Sequence, residues 1–187
     1  MRIWSLGLLL PVAALLWAMQ DDDGWRAASR QSAGIAPDPA QTPQAVLQVY
    51  GASAYGWRGW FGIHTWIAAK PSGAAAYRIY DVVGWRVRHG QPALRIYQDL
   101  PDRYWFGSRP ELLLDRRGAE VDGLIEQVDA AARRYPWARE YRLFPGPNSN
   151  TFPAWIGLQV PALGLELPLR AIGSGYAHQA SAAQADR

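Results

Sequence analysis

The chain has 187 residues, 49% hydrophobic and 19% charged, with a net charge of +3 and no cysteine. That supports one domain with a real core and excludes a disordered chain. It also excludes disulfides, thiolate nucleophiles and cysteine metal sites. The arginines are scattered rather than clustered, which argues against nucleic acid as a partner. Ten tryptophans are enough to fill a core and to line a sugar-binding or membrane-facing surface as well.

Arg2 precedes an apolar run from Ile3 to Met19, followed by Gln20 and the acidic Asp21, Asp22 and Asp23. The run is near the lower length limit for a membrane span. Its charge flanks place the N-terminus in the cytoplasm and the remainder outside. Leu16-Trp17-Ala18-Met19 is a poor cleavage site, so residues 1–20 read as an uncleaved transmembrane signal anchor. The expected partner there is the inner membrane. The expected location is the cytoplasmic membrane, with the soluble domain on the periplasmic or extracellular side. Residues 21–44 carry prolines and small polar residues without periodicity and read as a linker.

The globular domain is expected over residues 45–173. Ala45–Ala54 predicts a first strand, and Gly56-Trp57-Arg58-Gly59-Trp60 a turn whose tryptophans line a cleft mouth or fold onto the core. Ile63-His64-Thr65-Trp66-Ile67 is the clearest strand. Its alternation puts His64 and Trp66 on one face and Thr65 on the other. Tyr77–Arg88 predicts a long strand and Ala93–Gln98 a shorter one, giving an antiparallel meander. Asp102, Trp105 and Arg109 fall in an irregular stretch, and Pro110 suits the first position of a short helix over 111–116. Val121, Leu124, Ile125, Val128 and Ala132 keep helical spacing, so residues 119–134 predict a packing helix. Tyr141–Phe144 predicts a short strand, residues 150–160 a helix, and residues 174–187 a disordered tail. The fold class is α+β, an antiparallel sheet packed with helices.

Chemistry concentrates at Pro145-Gly146-Pro147-Asn148-Ser149-Asn150-Thr151-Phe152. A hydroxyl at Ser149 would sit where a rigid turn feeds a helix N-terminus, whose N–H groups can stabilise an oxyanion. A serine needs a base, and His64 alone of three histidines lies inside an apolar strand. Metal-ligand runs and phosphate loops are absent from the sequence, and no cofactor is expected. Each residue has a plainer role open to it. Asn148 and Asn150 can cap the turn and the helix. Asp81 can pair with Arg78 or Arg86, Arg109 with Glu111, and His64 can be a hydrogen-bonded core histidine.

His64-Thr65-Trp66, Gly107-Ser108-Arg109-Pro110-Glu111-Leu112-Leu113, Pro145 through Phe152, and Ala171-Ile172-Gly173 resemble the bacterial domain-of-unknown-function family 3750 over roughly residues 45–173. That family implies an architecture and no activity. Asn148-Ser149-Asn150-Thr151-Phe152 is also similar to the Asn-Cys-polar-polar-Phe helix start of circularly permuted papain-like proteins, the group that includes lecithin retinol acyltransferase. Serine stands here at the cysteine position. This second resemblance implies a permuted papain-like fold with Ser149 as nucleophile and His64 as base. Asp81 on the next strand would orient the base, with Tyr77 a poorer candidate. A serine hydroxyl cannot ionise as a thiolate does, so it would transfer its proton during attack. Two expectations of function follow. One is a serine-dependent hydrolase or acyltransferase acting on amide or ester bonds in the envelope. The other is a non-catalytic envelope binding module that holds a peptide, glycan or lipid small molecule in the same cleft. Trp66, Trp105, Arg109, Asn148 and Asn150 are the candidate binding residues, with Trp57 and Trp60 at the mouth.

Overall fold

The computed structural model describes residues 24–179. The expected anchor, residues 1–20, lies outside them, as do residues 180–187 of the expected tail. Among the described residues no helix is long and apolar enough to cross a membrane.

A five-stranded antiparallel sheet organises the chain, in the order β4-β3-β2-β1-β5. The strands are β1 Val46–Ser53, β2 Ile63–Lys70, β3 Arg78–Val82, β4 Leu94–Gln98 and β5 Glu111–Arg117. The helices are α1 Gly24–Ala27, α2 Gly84–Arg88, α3 Val121–Arg133 and α4 Thr151–Gln159. The class is therefore α+β.

β1 and β2 sit centrally and are buried along nearly their whole length. Alternation sends Leu47, Val49, Ile67, Tyr80 and Val82 to one face, where they pack against Val121, Ile125 and Val128 of α3 and Phe152, Trp155 and Ile156 of α4. Asp129 of α3 pairs with Arg78 and Tyr80 of β3. Val46, Tyr50, Ala52, Trp66 and Ile79 go to the other face, and among the described residues no helix covers them. Ile35, Ala36, Tyr97 and Trp105 pack there instead.

That second layer follows from topology. β4 and β5 occupy opposite edges, so the connection over residues 99–110 must cross the sheet. It crosses the helix-free face and carries Asp102 and Trp105 with it. Residues 29–37, expected as free linker, lie along the same face. Asp102 is buried and accepts hydrogen bonds from the Ser32 hydroxyl (2.8 Å), Ile35 N–H (2.6 Å) and Ala36 N–H (3.1 Å).

Three expected elements are corrected. The strand over Tyr77–Arg88 ends at Val82, and Gly84–Arg88 is one turn of helix. Four alternating residues satisfy a helical turn as well as a strand. The Tyr141 ring lies so close to Gly84 that a Cβ there would overlap it. Glu111–Arg117 is an edge strand paired with β1 rather than a helix. Its run of three leucines has no period, and cross-strand hydrogen bonding decided it. Tyr141–Phe144 is an exposed loop, not a strand, with Leu143 51% and Phe144 75% exposed. The ordered chain also continues past Ser174: Ser174–Ala177 forms a 3-10 turn, and Ala177 is buried in the core.

Candidate functional site

The structure brings His64 and Asp81 together. β2 and β3 are neighbours, and both residues face the helix-free side. His64 Nε2 lies 2.9 Å from Asp81 Oδ1. The other carboxylate oxygen, Oδ2, accepts from Arg95 Nη2 at 2.9 Å. Arg95 stands opposite Asp81 in the β3–β4 register. It also donates to the Tyr97 hydroxyl at 2.7 Å. Burial opposes ionisation of Asp81, but the charges of His64 and Arg95 outweigh it and hold the carboxyl below its ordinary value. Burial pushes the Tyr97 phenol up to about 12. Arg78 and Arg86, the partners first considered for Asp81, bond elsewhere, to Asp129 and to the Pro92 carbonyl.

Aromatic rings seal the pair. The His64 ring stacks on Trp105 with centroids 3.6 Å apart and planes 5° apart. Trp66 lies beside both and donates its indole N–H to the Pro101 carbonyl at 2.7 Å. His64 is 6% exposed.

Ser149 is on the other side of the sheet. It is Thr65, not His64, that meets the Asn148–Asn150 run: the Thr65 hydroxyl bonds the Ser149 carbonyl (3.1 Å) and Asn150 Oδ1 (3.0 Å). Adjacent strand residues point to opposite faces, so His64 points away. Among the described residues no hydrogen bond joins His64 to Ser149. The expected nucleophile and base are therefore not brought together.

The amides expected to form an oxyanion hole are engaged as well. Asn148 Oδ1 accepts from the N–H of Asn150 (2.9 Å) and of Thr151 (3.2 Å), capping α4. Asn148 Nδ2 donates to the Leu143 and Ile172 carbonyls. Asn150 Nδ2 donates to the Ile63 and Ile172 carbonyls, both at 2.9 Å. The two asparagines thus staple two loops, residues 141–147 and 168–173, and the first residue of β2, at the end of loop 56–62, around the start of α4. Gly173 has φ +91°, and a Cβ there would strike the Asn148 amide.

Arg109 is exposed and donates to the Ala33 carbonyl at 3.0 Å, tying the crossing segment to residues 29–37. It approaches neither Ser149 nor Glu111 by a hydrogen bond. Tyr77 bonds the Pro37 carbonyl rather than His64. Trp57 and Trp60 are exposed. Among the described residues no group of three or more His, Asp and Glu side chains is placed to hold a metal ion.

A family model described as protein of unknown function (DUF3750) matches residues 44–176. The chain belongs to the DUF3750 family. No curated protein and no solved structure matches it. Every motif of the first resemblance falls inside the DUF3750 match.

Sequence reasoning missed Arg95, Tyr97 and Asp102. Arg95 was within reach: a meander with a β3–β4 pair sets an arginine opposite an aspartate. Nothing local marks Asp102, whose partners are about 70 residues away.

Apart from the His64–Asp81 pair, a groove of about 520 Å³ lies between residues 36–39 and 98–102. Pro37, Tyr77, Leu100 and Pro101 give it apolar walls, and Asp38 and Asp99 place carboxylates along it.

Proposed function

We propose that this DUF3750 domain is a non-catalytic binding module held at the outer side of a membrane. Its ligand in this reading is an extended peptide carrying a basic group, lodged in the groove beside Asp38 and Asp99. The carrying observation is the separation of His64 from Ser149 by the sheet. A serine hydroxyl with no base and with neighbouring amides already bonded is not an activated nucleophile. The groove supports the binding side. Its size is ordinary for a ligand pocket, its walls are largely apolar, and it is lined by the carboxylates of Asp38 and Asp99, the latter shared with Arg103 at 2.7 Å.

The serine-hydrolase reading retains one favourable observation, the His64–Asp81 hydrogen bond. The permuted papain-like reading asks for His64 and Ser149 in one cleft, and the alternation of β2 argues against it. The same bond serves a structural role, because it and the Arg95 ion pair leave neither oxygen of a buried carboxylate without a partner.

A fluorophosphonate probe separates the readings. The binding module leaves the folded protein unlabelled at Ser149. Labelling lost in both Ser149→Ala and His64→Ala would return the chain to the hydrolases. For the groove, lysine-containing peptides titrated by nuclear magnetic resonance should shift residues 98–102, and Asp99→Asn should weaken that binding. Shifts confined to the surroundings of Ser149 would refute the groove as the site.

A further inference from the structure

Three loops gathered around the start of α4, residues 56–62, 141–147 and 168–173, carry a surface that the groove does not involve. Among the described residues, seven of the twelve exposed large hydrophobic side chains are on them. Trp57, Trp60 and Phe61 come from the first loop, Leu143 and Phe144 from the second, and Leu169 and Ile172 from the third, with Leu169 fully exposed. The loops adjoin one another. Ile63 N–H bonds the Arg170 carbonyl at 3.0 Å, Arg170 Nη2 bonds the Gly59 carbonyl at 2.9 Å, and Asn148 bridges the carbonyls of Leu143 and Ile172. Each loop contributes one exposed arginine, Arg58, Arg142 and Arg170, and none contains an acidic residue.

We propose that this surface docks onto an anionic lipid bilayer, with the aromatic and aliphatic tips in the interface and the three arginines on lipid phosphates. Aromatic and aliphatic side chains beside arginines suit the headgroup boundary, where an apolar body and a charged group are both accommodated. The connection to the N-terminal segment fits. Ser29 bonds Gly107, and Arg30 lies over the Phe106 ring. Phe106 contacts Tyr55, at the root of the first loop. The chain therefore leaves the domain beside the patch. On the anchor reading of Ile3 to Met19, the ten steps from Met19 to Ser29 span no more than about 35 Å fully extended. A domain on so short a tether rides against the bilayer, and this is the face at its point of attachment. The inference does not depend on what the groove holds.

The chain has no cysteine, so single-cysteine variants of the full-length protein report one position each. Nitroxide labels go on Leu169→Cys, Phe144→Cys, Gln127→Cys on exposed α3, and Ser5→Cys in the apolar run. Each variant is reconstituted into vesicles of phosphatidylcholine with phosphatidylglycerol, and of phosphatidylcholine alone. Power saturation compares access by oxygen, which favours lipid, with access by a water-soluble nickel chelate. Docking predicts lipid-like labels at Leu169 and Phe144 in the anionic vesicles, against an aqueous label at Gln127. That signature should be lost at high salt and in Arg58→Gln/Arg142→Gln/Arg170→Gln. Aqueous labels at Leu169 and Phe144 beside a lipid-facing label at Ser5 would overturn the proposal and leave the anchor standing. Equal shielding without anionic lipid, or concentration-dependent shielding in detergent without vesicles, would overturn it too. The latter would assign the face to a second copy of the chain.

Discussion

Asn150→Ala is the sharpest test of what the Asn148-Ser149-Asn150 run does. Asn150 is 4% exposed, and its side chain makes three hydrogen bonds: to the Thr65 hydroxyl at 3.0 Å and to the Ile63 and Ile172 carbonyls at 2.9 Å each. Truncation removes all three and leaves the buried Thr65 hydroxyl without this acceptor. At about 1 kcal/mol for each net bond, plus the cost of groups left unsatisfied, the loss is about 3–4 kcal/mol. A domain of this size loses roughly 2–4 °C in Tm per kcal/mol, so the expected drop is about 6–16 °C. Ser149→Ala removes a hydroxyl without a hydrogen-bond partner among the described residues, and it should change stability by no more than about 0.5 kcal/mol. Thermal and urea unfolding, followed by tryptophan fluorescence, measure both. Should Asn150→Ala unfold within about 1 kcal/mol of the parent, the stapling role is refuted. The asparagine would then be available for a ligand.

Asp81 has a folded pKa below its unfolded one, so it contributes stability above the ordinary carboxylate range near 4, and that stability is lost as pH falls through the folded value. Asp81→Asn should therefore flatten the acid limb of the stability–pH curve. An unchanged limb would mean that another carboxylate sets it. Asp102→Ala should release residues 32–36 from the sheet. Exchange at the Ile35 and Ala36 amides is expected to rise at least roughly 10-fold. Unaltered protection there would show that Asp102 does not hold the segment.

What local sequence determined was the sheet's centre and the packing helix. Val46–Ser53 and Ile63–Lys70 carry β-forming residues such as Val46, Val49, Tyr50, Ile63, Trp66 and Ile67, and α3 keeps its apolar stripe over three turns, so burial and backbone preference agree. Alternation in β2 already divided His64 from Thr65. It also fixed that only one of them could face α4. The same short-range patterning misread Glu111–Arg117 and Gly84–Arg88, because each is too short or too aperiodic for its own residues to choose.

Which side α4 would pack on was decided only in three dimensions. Phe152, Trp155 and Ile156 bury against the Leu47–Val49–Ile67 face, and that choice carries Ser149 to Thr65 and away from His64. The other face then had to be closed by whatever crossed it. The connection from β4 to β5 brings Trp105 onto His64 and Asp102 onto residues 32–36, contacts spanning some 41 and 70 positions of chain. The sequence by itself thus determined which residues share a strand face. Only the tertiary structure decided which faces meet, because that depends on long-range burial and strand order, on which local propensity has no bearing.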